Sequence, residues 1–220
     1  IYACYIGYIV QAIVNNFAPL LFLTFQSSFG LSLDKVSLLV TFNFGVQLLV
    51  DLLSAKFVDK IGYRPCMIAA HVLAAAGLAG LAIFPAILPN AYAGLIAAIM
   101  LYAVGGGLLE VLVSPIVEAC PTEGKEAAMS LLHSFYCWGH VFVVLVSTAF
   151  FALFGTANWR VMACIWAIVP ALNAVYFTKV PINTLSGGDG EAGMSMGALA
   201  KSVIFWLLML LMVCAGASEQ

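Results

Sequence analysis

The sequence is poor in charge. Only 8% of its 220 residues are Asp, Glu, Lys or Arg, whereas 64% are hydrophobic. Soluble domains carry about 25% charged and about 45–50% apolar residues. The scarcity of charge excludes an ordinary soluble domain, and it indicates a chain that faces lipid over much of its surface.

Long stretches have no charged residue at all. They are residues 1–33, 65–109, 127–159, 161–178 and 202–218. A helix crosses a bilayer with roughly 20 mostly apolar residues, so the stretch 65–109 holds two crossings that turn at 85–90. Backbone groups in lipid need internal hydrogen bonds, and the alternation typical of barrel strands is missing. The sequence therefore predicts an all-α polytopic membrane protein.

Other absences exclude further classes. The net charge is −2 and there is no basic patch, so we expect no nucleic-acid partner. The six cysteines lie singly and form no CxxC pair, which favours packing roles over metal or redox chemistry, and we expect no cofactor. No His-Glu-x-x-His or paired-Asp motif lies in a span, so we expect no enzyme. The only lysine near the last span, Lys201, is too shallow for a retinal-type Schiff base.

The hydropathy pattern predicts seven helices and a linker. The helices lie near residues 2–27, 35–58, 65–86, 91–119, 124–154, 159–178 and 199–217. We expect a six-helix bundle over 1–179, a cytoplasmic linker over 180–198, and over 199–220 the first helix of a truncated second bundle. The chain starts at Ile1 without an initiator Met, so we also expect its true start to be missing.

The lysines and arginines of the loops predict the orientation. With the N-terminus inside, six of the eight are cytoplasmic, and only Lys35 and Arg160 lie outside. We therefore expect a cytoplasmic N-terminus in the plasma (inner) membrane of a bacterium.

The loop after the second predicted span, Ala55–Pro65, combines a small residue, an acid and several basic residues. It resembles the corresponding loop of the major facilitator superfamily, with Ala55 in place of the usual Gly and Tyr63 at one of two basic positions. The resemblance implies a major facilitator fold and a conformational latch, in which a carboxylate meets the positive N-terminus of a neighbouring helix. An ordinary basic loop is the alternative. The residues that match are Asp59, Lys60, Gly62 and Arg64.

Polar residues recur every four positions along the fourth predicted span. They are Tyr102, Gly106, Glu110, Ser114 and Glu118. Glu118 lies near the cytoplasmic end, whereas Glu110 lies deep in the span, where an ionisable group is costly and usually faces a cavity. We therefore predict that Glu110 carries the coupled proton. A protonated, hydrogen-bonded packing residue is the alternative.

The fifth predicted span has a polar and aromatic face. His133, Tyr136, Cys137 and His140 are three or four residues apart, and Trp138 lies among them. We expect a cavity wall here, with plain interhelical hydrogen bonding as the alternative. A metal site is conceivable from His and Cys, but no carboxylate joins them and we expect none.

Gly-x-x-x-Glu at 106–110 and Leu-His-x-Phe-Tyr-x-x-Gly at 132–139 together resemble the fucose-permease branch of the superfamily. That branch comprises proton-coupled sugar symporters and many uncharacterised relatives, and the resemblance implies proton coupling or sugar binding for Glu110. Ser114 stands where the branch has Asn. The acid of its first helix is absent here, and Asn15 and Asn16 occupy that neighbourhood.

Two more polar faces complete the candidate site. Tyr8, Gln11 and Asn15 align on the first span, and Asn43, Gln47 and Asp51 align on the second. Amides in lipid must find partners, which a solute site or helix packing could equally supply. The predicted substrate-binding residues are Gln11, Asn15, Asn43, Gln47, Ser114, His133, Tyr136 and Trp138.

The candidate site has no basic residue at mid-membrane depth, which argues for a neutral or cationic solute. We predict proton-coupled symport of a small, sugar-like solute by alternating access, with a missing C-terminal half as partner. Dimerisation of two such halves is the other possibility. The alternative function is proton-coupled efflux of cationic or lipophilic compounds, with Glu110 as counter-charge. The Gly-x-x-x-Gly-Pro antiporter signature is missing after Gly139, which favours uptake.

Overall fold

The computed structural model describes residues 1–183 and 196–218, without the side chains of Ala55, Asp59, Met196 and residues 215–218. The described residues form helices and no strand. The helices are α1 (Tyr2–Asn16), α2 (Phe22–Phe29), α3 (Leu33–Ile61), α4 (Tyr63–Ile87), α5 (Ala91–Glu118), α6 (Lys125–Phe154), α7 (Trp159–Lys179), α8 (Met196–Leu199) and α9 (Val203–Ser218). Six stretches of the described chain are long and apolar enough to cross a membrane, which confirms the all-helical membrane architecture.

The first span is two helices rather than the one predicted. α1 ends at Asn16, a 3-10 turn covers Pro19–Leu21, and α2 then continues to Phe29. Pro19 has no N–H to donate and its ring crowds the carbonyl of Asn15, which favours a break here, whereas α4, α5 and α7 continue through Pro85, Pro115 and Pro170. Hydropathy alone cannot reveal such a break, because the whole stretch Tyr2–Phe29 is apolar.

The turn between α4 and α5 follows the sequence closely. α4 ends at Ile87, and Asn90 caps α5 by accepting a hydrogen bond from the Tyr92 backbone N–H at 2.9 Å. The two helices then pack tightly at Gly105. A Cβ at this position would collide with the Ala70 backbone, so only glycine fits there. This pair forms the densest part of the core.

The starts of the other helices lie close to the predicted bounds. Ser32 precedes α3 and Asn158 precedes α7, and neither makes a side-chain capping hydrogen bond. α6 begins at Lys125, directly after Gly124, which agrees with the helix predicted near 124–154. Gly124 adopts a left-handed conformation with φ 78°, which glycine reaches without the strain of a side chain. Loop geometry, rather than a capping motif, sets this start.

A buried polar contact ties α1, α4 and α7 together away from the predicted site. The Nδ1 atom of His71 lies 2.8 Å from the Met67 carbonyl, and its Nε2 atom lies 2.7 Å from the Asn173 amide nitrogen. The same amide nitrogen donates to the Ala3 carbonyl at 3.0 Å. Since both ring nitrogens of His71 are engaged, the imidazole is fixed as a structural bridge between helices.

The chain divides into two compact units, 1–185 and 186–220. The described helices α1 to α7 belong to the first, and its spans are those that carry the candidate site. In the second, α9 is an apolar helix, whose stretch Val203–Cys214 is shorter than the six spans. Most of the predicted linker over 180–198 lies outside the described residues, and its boundaries stay predictions.

Candidate functional site

Four amide side chains form a hydrogen-bonded network between α1 and α3. Gln47 donates to the Oδ1 atoms of Asn15 and Asn43, at 2.8 and 3.0 Å. Asn43 also donates to Asn15 Oδ1 at 3.3 Å, and Gln11 donates to Gln47 Oε1 at 3.3 Å. Gln11, Asn43 and Gln47 are buried, whereas Asn15 is half-buried. The structure therefore brings together all four amides that the sequence singles out on the first two spans.

Helical spacing explains why these amides meet. Gln11 and Asn15 are four residues apart on α1, and Asn43 and Gln47 are four apart on α3, so each pair lies on one face. α5 leaves room for them at Gly106, where a Cβ would lie 3.1 Å from Gln11 Oε1 and 3.3 Å from Gln47 Nε2. The glycine lets two amides approach the α5 backbone.

Glu110 lies at the edge of this network. Its Oε2 atom accepts a hydrogen bond from Gln11 Nε2 at 3.4 Å, so Gln11 links the carboxyl group to Gln47. Glu110 itself is exposed, although it lies one turn beyond the buried Gly106. The site thus combines a buried amide layer with an accessible carboxyl group, and a proton or a solute could reach that group from outside the bundle.

Tyr8 connects α1 to the residues predicted on α5 and α6. Its hydroxyl lies 2.9 Å from Ser114 Oγ, and its ring lies 5.6 Å from the His133 ring and 6.4 Å from the Tyr136 ring, centre to centre. The Tyr136 hydroxyl in turn accepts a hydrogen bond from Asn15 Nδ2 at 3.5 Å. Ser114, His133 and Tyr136 therefore border the same network.

Trp138 does not join this cluster. It is 72% exposed, and it lies about 140° around α6 from His133, since each residue advances the helix by about 100°. Leu131 and Leu145, seven residues before and after it, are also exposed. Trp138 thus belongs to an apolar stripe on the other flank of α6, and its predicted role in substrate binding stays a prediction.

Metal ligands do not converge in the described part of the chain. No three His, Cys, Asp or Glu side chains lie where they could hold one ion together. Cys137 and His140, which the sequence places near His133, are exposed on α6.

The predicted latch residues lie at the junction of α3 and α4. Gly62 separates the two helices with φ 94°, a conformation that favours glycine, and Lys60 is exposed. Arg64 donates to the backbone carbonyls of Phe177 and Thr178, both at 3.0 Å, and so binds the C-terminal end of α7. The Asp59 side chain lies outside the described part of the structure, so its latch contact stays a prediction.

Two residues of the predicted polar faces are missing from the predicted substrate-binding residues. Tyr8 precedes Gln11 by three residues and lies on the same face of α1 as the amides. Asp51 follows Gln47 by four residues, and its Oδ1 atom is buried without a hydrogen-bond partner. Asp51 lies near the inner end of the span, so the sequence alone does not show that this oxygen is buried. The burial depends on how α3 packs against α5.

Comparisons with known proteins agree on the fold. The chain resembles the solved proton:xylose symporter XylE bound to 6-bromo-6-deoxy-D-glucose, with TM-score 0.73 and 17% identity over 83% of this chain and 44% of that one. The partially occluded, inward-open xylose transporter XylE from E. coli gives TM-score 0.73 and 18% identity over 83% and 49% of the chains. A D-xylose-proton symporter gives TM-score 0.69 and 19% identity over 83% and 48%.

These structures show the fold alone, and this chain spans about half the length of each of them. A search of curated proteins by sequence found no match. A sequence model described as Major Facilitator Superfamily matches residues 4–219, which is nearly the whole chain. The family match, the six apolar spans and the similarity to solved transporters agree, and the chain belongs to the major facilitator superfamily.

Proposed function

We propose that this chain forms the N-terminal half of a transporter that couples uptake of a small, hydroxyl-rich solute to protons. The observation that carries the proposal is an accessible carboxyl group, Glu110, hydrogen-bonded to a buried layer of amides on α1 and α3. Amides offer donors and acceptors to hydroxyl groups, while the carboxyl group can gain and lose a proton. Solved structures of similar fold are named as xylose symporters, which supports a sugar-like solute.

The charge distribution supports a solute without strong negative charge. Every Lys and Arg of the six spans lies near a helix end, and none belongs to the amide network. A site for phosphate esters or dicarboxylates would normally present a cation to the anion. A neutral solute needs no such partner, and Tyr8, His133 and Tyr136 supply a hydrogen-bonding aromatic border.

A second bundle completes the site in this proposal. The chain spans 44–49% of the similar solved chains, and Glu110 and His133 are exposed on the first unit. Alternating access would close the two bundles around the solute in turn. The proposed setting is the plasma (inner) membrane of a bacterium with a cytoplasmic N-terminus, since six of the eight basic residues then lie inside.

The test is uptake into proteoliposomes that contain the full-length protein carrying this chain. A panel of radiolabelled sugars is offered with and without an imposed proton gradient. We expect gradient-driven accumulation of one or more sugars, and we expect Glu110→Gln to reduce it to the level of empty liposomes while exchange of labelled for unlabelled sugar continues. Glutamine keeps the hydrogen-bonding shape but cannot carry the proton.

The matched control is Glu118→Gln. Glu118 lies two turns further along α5, is half-exposed and pairs with Lys125 at 3.7 Å, so its loss should leave accumulation intact. Unchanged coupling in Glu110→Gln would rule out its assigned role. A folded protein that accumulates no sugar but protects cells from lipophilic cations would favour efflux, with Glu110 as the counter-charge.

A further inference from the structure

Asp51 is a second carboxyl group for which the proposed function has no role. It lies on α3, four residues after Gln47, and its Oδ1 atom is buried without a hydrogen-bond partner. A buried carboxylate oxygen that lacks a donor is costly, whereas a protonated carboxyl group is not charged. A proton or a cation at this position would lower that cost.

Helix packing brings Asp51 level with Glu110. α3 and α5 run in the same direction, because the antiparallel α4 lies between them in the chain, and they pack closely. A Cβ on Gly107 of α5 would lie 3.0 Å from the Gln47 carbonyl oxygen of α3, so these two positions are adjacent. Asp51 follows Gln47, and Glu110 follows Gly107, by about one turn. The two carboxyl groups thus lie at the same level on adjacent helices.

Basic groups that could neutralise this pair are absent from its surroundings in the described residues. Lys56 is exposed and lies about 140° around α3 from Asp51. From α4, the ring of His71 is engaged by Met67 and Asn173. The remaining titratable groups near the pair are Tyr8 on α1, which contacts Ser114, and His133 on α6, which packs against Tyr8.

A second buried acceptor lacks a donor beside the pair. Gln11 is 4% exposed, and its Oε1 atom has no hydrogen-bond partner. The nitrogen of the same amide group donates to Glu110. The oxygen without a partner therefore lies close to the carboxyl group of Glu110. The surroundings of the pair therefore hold more acceptors than donors, and a proton bound there would add one donor.

We propose that Asp51 and Glu110 form a paired-carboxyl site that holds one proton between them and exchanges it during transport. Two facing carboxylates without a cation repel each other, and one shared proton removes that repulsion. Protonation then depends on the pair rather than on either residue. The role of this proton in transport rests on the proposed function, whereas the pairing itself does not.

The test is infrared spectroscopy of the reconstituted full-length protein at neutral pH in potassium buffer, without any solute. We expect one absorption band of a protonated carboxyl group. Asp51→Asn and Glu110→Gln should each abolish the whole band, because either change removes the repulsion that retains the proton. Glu118→Gln should leave it intact. A band that survives either single substitution at full intensity would overturn the pairing.

Two further measurements guard the interpretation. Asp51→Glu retains the carboxyl group and should keep the band. If it does, misfolding of α3 does not explain the loss of the band in Asp51→Asn. Replacing potassium with sodium should not change the spectrum; a band that disappears in sodium would show that sodium occupies the site and would overturn the proton assignment. Because no solute is present, failure of the sugar panel and failure of the carboxyl pair are separate results.

Discussion

At the scale of the residue, this protein builds its polar site almost entirely from neutral groups. The two N–H groups of Gln11 and the two of Gln47 are all used within the site, so the amides hold one another in place. A neutral network costs less to bury than charges do, and it fixes the accessible Glu110 without a basic partner. Specific hydrogen-bond geometry, rather than charge, therefore positions the carboxyl group.

Gly106 is the position where this geometry is most easily disturbed. In Gly106→Ala, the new Cβ would lie 3.1 Å from both Gln11 Oε1 and Val14 Cγ1, so the amides must shift. The added methyl group overpacks the core, so we expect the apparent unfolding temperature to fall. The free energy of unfolding should be lower by about 1–3 kcal/mol than in the control variant. Sugar accumulation in proteoliposomes should fall with it.

The matched control for this change is Gly45→Ala on α3, where a Cβ would meet nothing within 4 Å. Both substitutions improve helix propensity by about 1 kcal/mol, so the difference between them isolates the contact with the amides. Equal stability and equal transport in the two variants would show that the site tolerates the added methyl group.

At the scale of the element, the ends of the helices carry most of the interactions that the sequence pattern did not reveal. α7 ends at Lys179, and the last carbonyls of a helix lack partners within it. Arg64, at the start of α4, donates to two of them and brings its positive charge to the negative end of α7. The basic loop residue thus joins two helices that are far apart in the chain.

This contact predicts the effect of Arg64→Gln. The loss of two charge-assisted hydrogen bonds at a half-exposed helix end should destabilise the first bundle by about 1–2 kcal/mol. The measurements are thermal unfolding in detergent and amide hydrogen exchange over the last turn of α7, which should become faster. Lys56→Gln removes an exposed basic residue from α3 and should change neither. Unaltered exchange in Arg64→Gln would contradict the capping role.

The same scale shows how far the sequence could predict the fold. The existence of six apolar spans followed from charge-free stretches, because a bilayer sets their minimum length. The turn between α4 and α5 followed from the charge-free stretch 65–109, which is long enough for two spans. The break after Asn16 did not follow, because it depends on local backbone geometry within a stretch whose hydropathy is uninformative.

At the scale of the whole molecule, the first unit exposes apolar side chains over its outer surface. On α6 the exposed stripe includes Leu131, Trp138 and Leu145, whereas Val143 on the opposite side is fully buried. Large exposed apolar surfaces are unfavourable in water and are expected where lipid is the solvent. We predict that this exposed apolar flank of α6 faces lipid, whereas the other flank carries His133.

Trp138 provides a direct test of this division. In a variant that retains Trp138 as its only tryptophan, lipids with brominated acyl chains should quench its fluorescence strongly, because the side chain faces lipid. A variant that retains only Trp166 should be quenched much less, since this residue is 3% exposed and donates to Ser147 at 3.0 Å. Quenching of Trp138 by aqueous iodide, and not by brominated lipid, would place it in a water-filled cavity instead.

The sequence by itself determined that this protein lies in lipid, where its helices run and which helix faces are polar. Charge content, charge-free stretches and four-residue spacing are local properties of a chain in lipid, and they selected Gln11, Asn43, Gln47 and Glu110. Only the tertiary structure decided which faces meet. It joined the amides across α1 and α3, turned Trp138 away from them and buried one oxygen of Asp51. The physical reason is that spacing fixes the face of a helix, whereas close packing at small residues such as Gly106 selects that face's partner.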